Sequence, residues 1–204
     1  MGKVLADESK ENGISINLGP GGNLHRNILC GRHPEYYSED PILTGTLMAY
    51  QARGLEENGV IATYKHLIAN NMEFERKSAH GIIDENTLRD LYLRLFDKAF
   101  SLYKPGCVMT SYNPVNGIYP CENSALLNDL LRGEWGFDGF VMTDWGSYDT
   151  ADSIRSVCAG TNLLTPGSKK HFRMILKAVK RNEISKAALQ HSVKQIVKVL
   201  VRCI

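Results

Sequence analysis

The sequence has few cysteines, no long apolar run and no large excess of either charge. Its five cysteines are odd in number and never form a Cys-x-x-Cys pair, which argues against a disulfide framework and against a zinc site. No apolar stretch approaches the roughly 18 residues that a membrane-spanning helix needs, and the N-terminus lacks the apolar core of a secretion signal. The net charge of +2 comes from mixed signs without a basic stripe, which gives nucleic-acid binding little support. We predict a cytoplasmic protein with reduced thiols, without a metal or cofactor, and with neither nucleic-acid nor membrane partners.

Apolar runs alternate with amphipathic stretches along the chain. Hydrophobic residues make up 43% of the sequence and charged residues 23%, which is typical of a globular domain with a real core. The strand-like runs are 14–18, 60–64, 107–112, 140–143 and 162–164. Helical spacing is found at 2–12, 42–58, 84–103, 122–135, 150–159 and, in two parts, 169–202. Strands separated by helices pair in parallel, because the chain must cross back over the sheet, and we therefore predict an α/β fold.

About five strand-helix units can be counted, and this number leaves two architectures open. A complete eight-unit barrel usually needs about 250 residues, so the chain is about two or three units short of one. It is therefore either an open, doubly wound sheet or part of a barrel. In both architectures the carboxyl ends of the strands converge on a crevice where ligands bind.

One carboxylate stands at the end of a predicted strand. Asp144 follows the apolar run Phe140-Val141-Met142 and precedes Trp145. A carboxylate held between a buried strand and a large aromatic side chain can be kept poor in water and aimed at an electrophilic carbon. The alternative interpretation is that Asp144 only caps the next helix.

Polar side chains also follow the other predicted strands. With Asp144 they bring cations, a phenol and a carboxylate to one face, and they comprise Asn23, His25, Arg32, Lys65, His66, Tyr112 and Asn113. Several directed hydrogen-bonding groups in one crevice favour a polyhydroxylated ligand.

Each of these groups also has a purely structural interpretation. Lys65-His66 could be a solvated loop pair, Arg32 could form ion pairs with nearby loop carboxylates, and Tyr112 could be a half-buried core aromatic. Glu73 and Glu75 could supply a second carboxylate, but their mixed-charge run is typical of a solvated face.

A series of motifs runs in order along most of the chain. They are GPG (19–21), NLHRN (23–27), GR (31–32), EYYSEDP (35–41), KH (65–66), ANN (69–71), SYN (111–113), LRGEWGFDG (131–139) and TDW (143–145). Over residues 2–167 this series closely resembles glycoside hydrolase family 3.

The resemblance implies a retaining, exo-acting β-glycosidase whose first domain is a (β/α)8-type TIM barrel. The site residues that it implies by position are Asp144 as the catalytic nucleophile, Arg32, Lys65 and His66 as donors to the hydroxyls of the terminal sugar, Tyr112 beside the nucleophile, and Met109 and Trp145 as walls of that subsite. A retaining mechanism requires two carboxyl groups about 5 Å apart. The charges of Arg32 and Lys65 are expected to hold Asp144 ionised at neutral pH.

Departures from the family pattern narrow this prediction. Single-domain members carry a further His soon after Lys-His, where this chain has Leu67-Ile68-Ala69-Asn70-Asn71, which favours the two-domain β-glucosidase or β-xylosidase type. In that type the acid/base is a Glu on a following domain, and the family's opening strands precede the region where Met1 stands. We therefore predict that residues 1–204 are a partial barrel domain, with the first strands missing, that carries the nucleophile for an oligosaccharide or β-glycoside substrate but not the acid.

Two competing hypotheses stay open. The chain could be a sugar-binding module that has abandoned catalysis. It could also be a fragment that another chain or a neighbouring copy in a homo-oligomer completes, since an incomplete barrel leaves sheet edges open for pairing. Losing general acid assistance typically costs about 10²–10⁴ in rate, so we expect little turnover from the isolated chain.

Overall fold

Three short strands, most of whose residues are buried, form a parallel sheet at the centre of the protein. A computed structural model describes residues 1–203, and its strands are β1 (Thr63–Leu67), β2 (Cys107–Thr110) and β3 (Phe140–Met142), ordered β1-β2-β3. In the register, Cys107 pairs with Thr63 on one side and with Phe140 on the other. Every residue of β2 and β3 is buried, as expected for parallel strands that are covered on both faces.

Helices connect and cover the strands. Polar caps begin several of them: the Asp40 carboxylate accepts from the Leu43 N–H, and the Ser185 hydroxyl accepts from the Ala188 N–H, which satisfies donors that a helix start leaves unpaired. The α-helices are α1 (Gly2–Glu11), α2 (Pro41–Glu56), α3 (Glu85–Thr87), α4 (Arg94–Leu102), α5 (Ser153–Ala159), α6 (Lys169–Lys180) and α7 (Lys186–Leu200). There are π-helical stretches at Leu88–Leu93 and Ala125–Glu134, and 3-10 turns at His33–Glu35, Pro120–Glu122, Ser147–Asp149 and Val201–Cys203.

The main hydrophobic cluster lies between the sheet and helices α2 and α4. Tyr64 and Phe96 are fully buried in it, and the Phe100 ring packs edge-on against Tyr64 with centroids 5.1 Å apart. Gly45 lets α2 approach α4 closely, because a Cβ there would collide with the carbonyl oxygen of Leu95. This packing fixes the sheet and, with it, the residues at the strand ends.

Single bridges extend the sheet beyond its outer strands. Ile16 bridges Ile61 in parallel, and Leu163 bridges Met142 in the same way. The runs 14–18 and 162–164, which were predicted as strands, therefore contribute bridges rather than strands. The α/β class with parallel pairing is confirmed, whereas a (β/α)8-type barrel, complete or incomplete, is not confirmed by three strands and stays a prediction.

The predicted strand at 60–64 was placed too early. The strand β1 begins at Thr63, so Lys65 and His66 lie inside it and not in a loop after it. Val60 and Ala62 are completely buried but precede the ladder, and their hydrophobicity misplaced the boundary. Within residues 1–203 no helix is both long and apolar enough to cross a bilayer, and the cytoplasmic location stays a prediction.

Candidate active site

Asp144 lies just beyond the carboxyl end of β3 and is almost completely buried. Its side chain is 9% exposed, and its Oδ1 accepts a hydrogen bond of 2.7 Å from the Trp145 backbone N–H. Its Oδ2 is buried without a hydrogen-bond partner among the described residues. The nearest cationic nitrogen to Oδ2 is Nη1 of Arg32 at 3.9 Å, and Nε2 of His66 lies at 3.4 Å. One oxygen is therefore anchored, and the other points toward polar groups that do not satisfy it.

Burial raises the pKa of Asp144 above its ordinary value, because desolvation disfavours the carboxylate. The Trp145 N–H, the positive charges of Arg32 and Lys65 and the hydroxyl of Tyr112 act in the opposite direction. The predicted effect of the two cations is thus present, but it is smaller than the effect of burial, and the pKa is raised rather than lowered. A raised pKa makes the ionised oxygen a stronger base.

His66 is buried in β1 and held from several sides. Its backbone N–H donates to Oδ1 of Asn23 at 3.1 Å, and its Nδ1 lies 3.2 Å from the Tyr36 hydroxyl. Burial, followed by the charges of Arg32 and other cations nearby, lowers the pKa of His66 well below its ordinary value, so the ring is neutral at neutral pH. Nη2 of Arg32 lies 3.0 Å from Nε2 of His66. A guanidinium can only donate, so Nε2 accepts and the ring hydrogen is on Nδ1.

Arg32 and Lys65 reach the site from different elements but share one partner. Arg32 precedes the 3-10 turn His33–Glu35, and its Nε donates to Oε1 of Glu35. Nζ of Lys65 lies 3.1 Å from Oε2 of the same carboxylate. The proposed loop ion pair of Arg32 is therefore present, but it does not exclude a role in ligand binding, because Nη1 still faces Asp144.

Tyr112 and Trp145 frame the Asp144 turn. The Tyr112 hydroxyl donates to the Trp145 carbonyl oxygen at 2.7 Å, and burial raises the pKa of Tyr112 to about 12, so this donor is present at neutral pH. The Trp145 residue is 56% exposed and offers a ring that a sugar could stack on. Met109 is 2% exposed and packs with Phe140 in a core cluster, so its role as a subsite wall stays a prediction.

The structure joins most of the predicted set, but not all of it. Arg32, His66 and Asp144 are connected by direct contacts, Tyr112 joins through the Trp145 carbonyl oxygen, Lys65 joins through Glu35, and Asn23 supports His66. His25 stacks on His33 instead, with ring centroids 4.2 Å apart. Asn113 is buried at the end of β2.

The mixed-charge run after β1 was interpreted as a solvated face, and three of its charged side chains are only partly exposed, namely Glu73 at 27%, Arg76 at 38% and Lys77 at 33%. Arg76 lies over the Tyr112 ring, with 4.5 Å from its guanidinium carbon to the ring centroid, and donates to Glu73 at 2.8 Å. Nζ of Lys77 donates to the Gly146 carbonyl oxygen at 3.1 Å, whereas Glu75 is exposed. Three charges of this run thus border the site. No spacing in the sequence distinguishes such a run from a solvated one.

The fold and the site together define a parallel α/β protein with a buried carboxylate and several cations at the carboxyl ends of its strands. The model of the glycosyl hydrolase family 3 N-terminal domain matches residues 1–199. The chain therefore belongs to glycosyl hydrolase family 3.

Relatives with assigned names share nearly the whole chain. The chain is 41% identical to thermostable beta-glucosidase B of Acetivibrio thermocellus over 201 residues. The aligned region covers 98% of this chain and 26% of that relative. The chain is 39% identical to probable beta-glucosidase J of Aspergillus fumigatus, covering 98% and 23%. The structure of beta-glucosidase 3B from Thermotoga neapolitana in complex with glucose matches with a TM-score of 0.94, 40% identity, and coverage of 98% of this chain and 29% of that one. The chain thus spans about a quarter of the length of these relatives.

Proposed function

We propose that the protein carrying this chain hydrolyses terminal, non-reducing β-D-glucosyl residues with retention of configuration, and that Asp144 is its nucleophile. The names of the relatives support the substrate class. The observation that carries the choice of nucleophile is Oδ2 of Asp144, which is buried, has no hydrogen-bond partner among residues 1–203 and faces Arg32 and His66. An oxygen that is not engaged in hydrogen bonds is available for attack.

In the first step, Oδ2 of Asp144 forms a bond to the anomeric carbon while the bond from that carbon to the leaving oxygen breaks. A general acid gives its proton to the leaving oxygen, and water later hydrolyses the glycosyl ester. Within the described chain, the other carboxylates beside this site are Glu35, Glu73 and Asp149, and all three are engaged by cations. We therefore assign the acid/base to a part of the protein beyond these residues.

Arg32 and Lys65 donate to the hydroxyls of the terminal sugar in this proposal. Their side chains are 18% and 15% exposed, and hydrogen bonds from partly desolvated cations are strong and directional. His66 was predicted as a third donor, but the one hydrogen of its neutral ring is on Nδ1, beside Tyr36 and Asn23, so we assign it the role of accepting from Arg32 at Nε2. The exposed face of Trp145 stacks on the sugar ring, since aromatic rings provide a flat apolar surface.

We further propose that the three strands are a sector of the (β/α)8-type barrel that the family resemblance implies. The bridges at Ile16 and Leu163 continue parallel pairing outward on both sides, which is the direction in which a barrel would grow. The remaining strands would come from the same polypeptide or from another chain. A measured solution mass equal to that of a single polypeptide would indicate that the remaining strands come from the same polypeptide.

The experiment is to incubate the protein with 2-deoxy-2-fluoro-β-glucosyl fluoride, whose leaving group needs no acid, and to locate the label by mass spectrometry. We expect one sugar on the peptide that contains Asp144, no label in Asp144→Asn, and normal labelling in the control Asp138→Asn, an exposed carboxylate just before the amino end of β3. A label on another carboxylate would contradict the proposal. Saturable glucose binding that Asp144→Asn leaves unchanged, with no label in the wild type, would favour the inactive sugar-binding module.

A further inference from the structure

We propose that Glu35 is a positioning residue of this site, which fixes the two cations Arg32 and Lys65 beside Asp144 and compensates their charge. The catalytic consequence of this inference depends on the proposed function. The positioning itself does not, and it can be measured without turnover.

The geometry places Glu35 between the two cations. Its Oε1 accepts from Nε of Arg32, and its Oε2 lies 3.1 Å from Nζ of Lys65. The 3-10 turn brings Arg32 and Glu35 together, and the Glu35 backbone N–H donates to the Arg32 carbonyl oxygen at 3.1 Å. One carboxylate therefore fixes two cations that come from a loop and from the strand β1.

The contact also decides which edge of the Arg32 guanidinium faces the site. Because Nε is occupied by Glu35, the two terminal nitrogens are directed inward. Nη2 lies 3.0 Å from Nε2 of His66, and Nη1 lies 3.9 Å from Oδ2 of Asp144. A guanidinium is planar and rigid, so fixing one of its nitrogens orients the others. Without Glu35, the long Arg32 side chain would regain other rotamers.

The charges around Asp144 are balanced, and Glu35 is part of that balance. The charged groups that face this region are the cations Arg32, Lys65, Arg76 and Lys77 and the carboxylates Glu35, Glu73, Asp144 and Asp149, together with the neutral ring of His66 and the phenols of Tyr36 and Tyr112. Glu73 is engaged by Arg76 at 2.8 Å. Removing the charge of Glu35 would take away the ion-pair partner of Lys65 and leave Arg32 with the more distant Glu73, at 3.9 Å. The attraction of the two cations would then stabilise the Asp144 anion more strongly.

A purely structural role predicts a different result. If Glu35 only held the loop together, its loss would lower the stability of the fold and leave the protonation of Asp144 unchanged. The titration midpoint of Asp144 is therefore the readout that separates the two roles. The exchange rate of the Arg32 Nε–H with solvent reports the hydrogen bond directly.

The experiment measures both quantities by NMR in the wild type, Glu35→Gln, Glu35→Asp and Glu39→Gln. Glu39 lies in the same loop and is exposed, and its recorded contact in the described chain is with its neighbour Ser38, so it controls for a lost charge. We expect Glu35→Gln to move the Asp144 midpoint to lower pH and to speed Nε–H exchange of Arg32, and Glu39→Gln to change neither. A folded Glu35→Gln variant with the wild-type midpoint would overturn the proposal.

Glu35→Asp keeps the negative charge but shortens the side chain. This variant tests the positioning role if Glu35→Gln does not fold. We expect its Asp144 midpoint to stay close to that of the wild type while Arg32 Nε–H exchange becomes faster, because the shorter side chain cannot span both cations. An unchanged exchange rate of the Arg32 Nε–H in Glu35→Asp would contradict the proposal that Glu35 holds both cations.

The rate of fluorosugar labelling links the inference to chemistry. Mispositioned catalytic groups cost about 10–10² in rate, and we expect a loss of this order in Glu35→Gln relative to Glu39→Gln. If the wild type is labelled on a residue other than Asp144, the proposed function fails while the NMR result stands. If labelling at Asp144 is normal in both variants, the catalytic consequence of the positioning fails and the proposed function stands.

Discussion

Two buried carboxylates lie at opposite ends of the sheet, and their hydrogen bonding differs. At the amino ends, Oε1 of Glu56 accepts from the backbone N–H groups of Ala62 at 3.1 Å and Gly106 at 2.6 Å. Its Oε2 accepts from the Tyr103 hydroxyl and from Arg202. At the carboxyl ends, Asp144 has one hydrogen bond to one oxygen and none to the other among the described residues.

The difference shows that the carboxylate at the amino ends of the strands stabilises the fold, whereas the carboxylate at their carboxyl ends is left available for chemistry. Glu56 ties the starts of β1 and β2 together, and saturating both of its oxygens offsets the cost of burying the charge. Asp144 is buried almost as deeply without that compensation. An unsatisfied buried group weakens the fold, which is expected where a site is arranged for reaction rather than for stability.

The largest effect on stability is therefore expected at the amino ends. Glu56→Ala removes the acceptor for two backbone N–H groups and the partner of Arg202, and we expect a loss of about 3–5 kcal/mol in the free energy of unfolding. Chemical denaturation measures it. The control is Glu57→Ala, which removes an exposed ion pair with Arg53 and should cost about 0–1 kcal/mol. Equal losses in the two variants would show that Glu56 does not tie the strands together.

Two tyrosines allow the same comparison with a smaller expected loss of stability. The Tyr112 hydroxyl donates to the Trp145 carbonyl oxygen at 2.7 Å at the carboxyl ends, and the Tyr64 hydroxyl donates to the Tyr103 carbonyl oxygen at 2.9 Å away from the site. Each Tyr→Phe change should cost about 1 kcal/mol of stability. Only Tyr112→Phe should also slow glycosidic chemistry, by about tenfold, because it loosens the turn that aims Asp144. Similar rates of fluorosugar labelling in the two variants would argue against this role of Tyr112.

The sequence predicted the elements of the fold better than the contacts that make the site. Local hydrophobic patterns placed β3 and most helices, because burial on a strand or helix leaves a periodic signal. The contact between Arg202 and Glu56 joins residues 146 positions apart, and no local pattern records such a pair. Asp144, Arg32 and Lys65 were proposed from their places after predicted strands, and the family resemblance supplied their roles. Glu35 and Arg76 were missed as parts of the site, and Glu73 was weighed only as a possible second carboxylate, because a charged loop residue has the same sequence signature whether it faces water or a neighbouring loop.

The smallest expected effect is a pH-dependent gain of stability in Asp144→Asn. Burial raises the pKa of Asp144, so over a window that opens near the ordinary Asp value of about 4 the folded state binds more protons than the unfolded state. Stability of the wild type then falls as pH rises through that window. Asn keeps the acceptor for the Trp145 N–H but carries no charge. The free energy of unfolding of Asp144→Asn should therefore increase relative to that of the wild type as pH rises from about 3 to neutral.

Asp138→Asn is the matched control for this prediction, since it should behave with the opposite sign. The hydrogen bond from Lys198 lowers the pKa of Asp138, so that carboxylate stabilises the fold above its ordinary pKa and loses this contribution as pH falls. Thermal unfolding of both variants across pH measures the contrast. If Asp144→Asn instead lost stability as pH rises, the Asp144 carboxylate would be stabilised by the fold, and the difference between the two ends of the sheet would disappear.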